Sequence, residues 1–152
     1  MTRMNPYAAA PQELQRFIDY ATTAAKTGLE ASLQHLVKVR ASQINGCAIC
    51  IHMHTAEARK DGETEERLYL LDAWHEAPTY TARERAALGW TDALTRLTET
   101  RAPDAAYDAA MAQFTPEEMV KLTLMITTIN SFNRLGVGFR QAPLGMVRAE
   151  AA

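Results

Sequence analysis

Apolar residues recur along this chain at spacings of three and four, the period of an amphipathic helix. No segment shows the period-two alternation of a strand bounded by hairpin turns. Residues 11 to 27 place Leu14, Phe17, Ile18 and Ala21 on one face, and Gly28 breaks the pattern. It resumes over residues 29 to 43 with Leu29, Leu33, Leu36, Val37 and Val39. Ile44-Asn45-Gly46 reads as a turn with Asn45 as N-cap, opening a helix from about Cys47 to Lys60 that Asp61-Gly62 ends. Thr64 caps a fourth helix carrying Leu68, Leu70, Leu71 and Trp74, with Glu65 and Glu66 in its first turn and Pro78 closing it. Thr81 and Glu84 form a capping box for a fifth, running to about Thr98. A short sixth helix spans Asp104 to Gln113. A second capping box, Thr115 with Glu118, opens a long last helix to about Leu135, with Pro116 where a missing N–H costs nothing. The pattern predicts an all-α fold of about six to seven helices, without internal repeats.

One of these helices lacks the polar stripe that surface helices carry. From Met119 to Phe132 only Lys121 is charged. The plain expectation is a central core helix; the sharper one is a helix partly covered by another subunit. The end of the chain, residues 136 to 152, is expected to be irregular or wrapped on a neighbour.

The totals narrow the class. With 152 residues the chain is expected to form one domain, 1–152, large enough to bury a core without disulfides or metals. Sixteen Lys and Arg stand against eighteen Asp and Glu, so charge points to neither nucleic acid nor an anionic membrane as partner. No leader-like or membrane-spanning stretch is visible, and a cytoplasmic location is expected. There thiols are kept reduced, and a lone CxxC is more often catalytic or metal-binding than structural.

Both cysteines lie in GCAICIHMH, residues 46 to 54. With Cys47 near the second or third position of its helix, Cys50 sits one turn on and His54 one turn further, all on one face. A helix N-terminus stabilises a thiolate. Two intervening residues let the sulfurs bond with little backbone movement. An imidazole one turn away can carry protons to and from sulfur. That set suits dithiol redox chemistry. Two other readings stay open: a zinc site drawing on Cys47, Cys50, His54 and His35 or His52, and inert cysteines.

The stretch VKVRASQINGCAICIHMH, followed by LYLLDAWHEAP, TARERAALGWTDALT and, at residues 129 to 139, INSFNRLGVGF, resembles the alkylhydroperoxidase D (AhpD-like) core of the carboxymuconolactone decarboxylase family. The likeness covers residues 29 to 140, approximately. It implies an all-helical domain with the CxxC at the start of a central helix, assembled as homo-trimers or homo-hexamers. It also implies a thiol-dependent peroxidase that reduces small hydroperoxides, with Cys50 as the attacking thiol, Cys47 as the resolving thiol and His54 assisting proton transfer. A lipoyl-bearing or thioredoxin-like dithiol protein would restore the pair, and no cofactor or metal is implied. The family's decarboxylase branch generally lacks the cysteine pair, which argues against that branch here. Two positions depart from the pattern. The relay glutamate expected twelve residues before the first cysteine is His35, which cannot supply the anion that would raise the basicity of His54. The histidine sometimes found inside the CxxC is Ile49. A slow redox sensor or oligomeric binding module is therefore the alternative to a peroxidase.

The remaining candidates have ordinary explanations. His52 points away from the cysteine face, His75 sits near a helix end that favours a cation, and Glu84 belongs to its capping box. Glu57 is expected to be simply exposed. Trp74, Trp90 and Phe132 are expected in the core or at subunit contacts, and the seven methionines as core filling.

Overall fold

A computed structural model describes residues 3–26 and 28–143. Among these residues every regular element is helical: α1 (Pro6–Ala9), α2 (Pro11–Ala25), α3 (Ala31–Asn45), α4 (Ala48–Lys60), α5 (Glu65–Tyr69), a 3-10 turn (Leu70–Ala73), α6 (Ala82–Thr95), α7 (Leu97–Thr100), α8 (Asp104–Met111) and α9 (Pro116–Gly138). The helices beyond the expected six to seven are the one-turn pieces α1 and α7. None is long and apolar enough to cross a membrane.

The threonine start signals act as their chemistry predicts. The Thr64 hydroxyl accepts from the Arg67 N–H, and both capping boxes form, Thr81 with Glu84 and Thr115 with Glu118. The stop signals fare less well. The fourth helix gives way to the 3-10 turn because Arg85 reaches back to the Trp74, Ala77 and Tyr80 carbonyls, holding residues 74–80 as a loop. The last helix runs on to Gly138, so Gly136 lies inside it rather than ending it. What was expected of residues 144–152 lies outside the described residues.

The centre of the bundle is α3, packed against α4, α6 and α9. Leu33 and Val37 meet Trp90 of α6 and Leu122 and Ile126 of α9 in one cluster. Leu36 and Val39 meet Leu71, Trp74 and Leu88 in a second. With neighbours on most sides, α3 also buries polar side chains, among them Gln34, His35, Arg40 and Ser42. The Arg40 guanidinium grips Asp92 through Nε and Nη2 at 2.7 and 2.8 Å and also pairs with Asp72. The last helix is therefore not the central one. Met119, Leu122, Met125, Ile126 and Ile129 face the core, while Val120 and Leu124 stand exposed on the far side. That side carries uncharged groups, Val120, Leu124 and Thr127 among them.

A buried amide network ties α3 to α9. The Asn45 amide donates to the Asn130 and Asn133 Oδ1 atoms at 3.0 and 2.9 Å, and the Asn133 amide donates to the Ser42 Oγ at 3.0 Å. Asn133 is fully buried. Asn133→Ala removes both of its bonds and leaves a void, so a loss of about 1–3 kcal/mol is expected in denaturant unfolding. A loss under about 0.5 kcal/mol would mean that the network does not hold the two helices together.

Candidate active site

The CxxC is placed by a tight turn. Gly46 closes α3 in the left-handed region, φ 65°, and the Cys47 N–H donates to the Ser42 carbonyl at 3.0 Å. The turn consumes Asn45, which ends α3 and uses its side chain in the amide network instead of capping α4. Cys47 is thus the N-cap, two or three positions earlier than expected, and Cys50 is the third residue of α4. Both still lie in the first turn, where free N–H groups and the helix dipole favour a thiolate. The two cysteines are disulfide-bonded, with Cα atoms 5.3 Å apart.

From the other side α9 closes on the pair. A Cβ built on Gly136 would lie 2.7 Å from the Cys47 sulfur and 3.5 Å from that of Cys50. Only a residue without a side chain lets the helix approach this closely.

Cys50 opens onto a cavity of about 630 Å³ between α2, α4 and α9. Its wall is mostly apolar, with Ile18, Met53, Met125, Ile129 and Phe132, and it also presents His54, Glu57 and Lys38. Cys47 is 1% exposed and does not line it. Phe132, expected in the core or at a subunit contact, belongs to this wall and packs on Phe17 with centroids 4.5 Å apart.

His54 is buried, and its Nδ1 lies 2.8 Å from Glu57 Oε2. With Nδ1–H donated to the carboxylate, Nε2 keeps the lone pair a base needs. Burial pushes His54 below the ordinary imidazole range; Glu57 opposes that through its hydrogen bond and charge, and Lys38 and His35 add to the lowering. Glu57 was expected to be merely exposed. It is half exposed, yet it is the anion that His35 could not provide. The three-residue spacing of His54 and Glu57 on one helix was the signal that could have found it.

His35 stands apart from the cavity wall. Its Nε2 pairs with Asp61 Oδ2 at 2.8 Å, and its buried Nδ1 has no hydrogen-bond partner. It reaches His54 through its charge only. Lys38, one turn along α3 from His35, takes the place facing the cavity. Nothing in the sequence singled it out.

His52 is exposed, and His75 stacks on Trp74 with centroids 3.6 Å apart. Glu84 completes its capping box and pairs with Arg67 at 2.6 Å. Trp74 and Trp90 are core residues. Among the described residues no group of three or more His, Cys, Asp or Glu is arranged to hold a metal ion.

Comparisons agree with this geometry. The chain is 38% identical over 135 residues to the uncharacterized protein YdfG of Bacillus subtilis (strain 168), covering 89% of this chain and 92% of the relative. A protein of unknown function from Agrobacterium tumefaciens, provisionally described as the antioxidant defence protein AhpD, superposes with a TM-score of 0.92 at 45% identity, over 94% of this chain and 98% of that one. An uncharacterized peroxidase-related protein from Silicibacter sp. TM1040 shares the fold, with a TM-score of 0.81 at 20% identity over 91% and 74% of the two chains. Residues 11–93 match the carboxymuconolactone decarboxylase family directly. With that match, the fold and the CxxC at the head of α4, the chain belongs to the carboxymuconolactone decarboxylase family and has its AhpD-like form.

Proposed function

We propose that this protein is a thiol-dependent peroxidase that reduces small hydroperoxides through Cys50 and Cys47. The observation that carries the reading is that Cys50 and the Glu57-bound His54 share the wall of one cavity, with Cys47 bonded behind. In the reduced protein His54 Nε2 takes the Cys50 proton. The thiolate attacks the distal oxygen of the hydroperoxide, the O–O bond breaks, and the proton passes to the departing oxygen as alcohol or water. Cys50 is left as a sulfenic acid. The Cys47 thiol condenses with it, forming the disulfide and releasing water. A dithiol, lipoyl-bearing or thioredoxin-like, reduces the disulfide through a mixed disulfide and is itself oxidised.

The resemblance supports the same chemistry and adds a homo-trimer or homo-hexamer, for which the exposed Val120 and Leu124 on α9 offer apolar contact area. We place the protein in the cytoplasm, where dithiol reductants are maintained. The low exposure of both cysteine residues favours the second reading, a redox sensor that turns over slowly. Consumption of tert-butyl hydroperoxide with dihydrolipoamide or reduced thioredoxin separates the two. Multiple turnovers per subunit support the peroxidase, and their absence with either reductant favours the sensor.

The His54–Glu57 pair carries a pH prediction. His54 must be neutral to act as base, so activity should fall in acid, with its midpoint below the ordinary histidine value of about 6.5. Glu57→Gln removes a group that raises His54, so the acid limb should move lower still. Activity at pH 7 should drop by about ten- to a hundredfold, because the base is weaker. Stability follows the same sign. The unfolded chain binds the extra proton more readily, so His54 costs stability progressively as pH falls from about 6.5 toward its folded pKa. A limb at or above 6.5, unmoved by Glu57→Gln, would remove His54 from the proton path.

A further inference from the structure

The cavity has one feature that peroxide chemistry does not use. Lys38 projects from α3 into it, half-buried, and its ammonium forms no ion pair or hydrogen bond among the described residues. The charged groups facing the space are Lys26 at the rim, Lys38 and Glu57. The Glu57 carboxylate is already engaged by His54 through Oε2. With His54 neutral, two cations face one carboxylate and the lining carries an excess of positive charge. Burial pushes the Lys38 ammonium below the ordinary lysine value, and only the Glu57 charge opposes it. An ammonium taken partly out of water without a close partner gains when an anion arrives.

The rest of the wall has a different character. Ile18, Met53, Met125, Ile129 and Phe132 offer hydrocarbon and an aromatic face. The volume, about 630 Å³, lies in the range of sites for small organic ligands, about 300–1,000 Å³. Water or hydrogen peroxide needs neither the space nor the apolar lining.

We infer that the cavity takes a ligand with an apolar body and a carboxylate, and that Lys38 receives the carboxylate. The preferred hydroperoxides are then those of amphipathic carboxylic acids, a step that rests on the peroxidase reading; the binding of the carboxylate itself does not. Lys38 acts as a specificity residue, distinct from the proton path of His54.

The test measures affinity for octanoate and for octanamide, a neutral ligand of nearly the same shape, by calorimetry on the full-length disulfide form. Octanoate should bind the wild type about ten- to a hundredfold more tightly. Lys38→Met should bring the ratio close to one, and Lys38→Arg should keep it. Octanoate should also compete with tert-butyl hydroperoxide in turnover. A wild-type ratio near one overturns the inference. So does a ratio that Lys38→Met leaves unchanged, or inhibition that is not competitive. If no peroxide is consumed, the peroxidase reading falls while the binding ratio still decides the role of Lys38. A lysine that only tunes His54 would shift the pH profile and leave the ratio alone.

Discussion

Cys50→Ser should abolish catalytic peroxide consumption, a loss of roughly a thousandfold or more, because a serine hydroxyl at neutral pH is no substitute for a thiolate. Cys47→Ser should fail differently. Its Cys50 still lines the cavity beside His54, so it should consume one equivalent of peroxide per subunit and stop as a sulfenic acid. A sulfenic-acid trap such as dimedone, read by mass spectrometry, should label Cys50 in that variant and nothing in Cys50→Ser. The asymmetry follows from position. Cys47 is the N-cap, 1% exposed and packed under Gly136, whereas Cys50 borders the open space. Labelling of Cys47 in the Cys50→Ser protein, with turnover retained, would reverse the two roles and remove the cavity from the mechanism.

The second large effect lies away from the reacting atoms. Gly136→Ala puts a methyl group 2.7 Å from the Cys47 sulfur and 3.2 Å from Ile49 Cγ2. The backbone there is helical, so alanine should gain by propensity, about 1 kcal/mol on an exposed helix. Close contact wins here. The sulfur is held by its disulfide and by the first turn of α4, and Ile49 belongs to the same turn, so neither is a free side-chain end that can swing aside. Overpacking of this kind costs about 1–3 kcal/mol. Either α9 or the CxxC turn must move. The expected result is a lower midpoint in denaturant and slower disulfide formation after one equivalent of peroxide. Gly138→Ala is the control, since a Cβ there meets nothing within 4 Å. Equal behaviour of the two variants would mean that α9 does not clamp the pair.

Much of the fold could be read along the chain because its signals are local. Thr64, Thr81 with Glu84, and Thr115 with Glu118 satisfy backbone N–H groups within their own first turns, so the residues that announce a helix also start it. Helix ends were harder. Arg85 holds the 74–80 loop, and Gly136 stays helical because of what packs on it. The pattern also shows α3 as a helix but not how fully it is enclosed. Gln34, His35, Arg40 and Ser42 of α3 are all buried, and the partners of the last three, Asp61, Asp92 and Asn133, come from distant parts of the chain. A helix enclosed on most sides has no polar face to display.

The site divides in the same way. The spacing of Cys47, Cys50 and His54 along one helix is local geometry, and it brings the two thiols and the imidazole to one face without help from the rest of the fold. Which cysteine meets the cavity, that Glu57 rather than residue 35 supplies the anion, and that Lys38 enters the space while His35 turns to Asp61 depend on how α2, α3 and α9 stack around α4. The chain alone specifies contacts between residues a turn apart. The charge and solvation of a buried group depend on neighbours that only packing brings near.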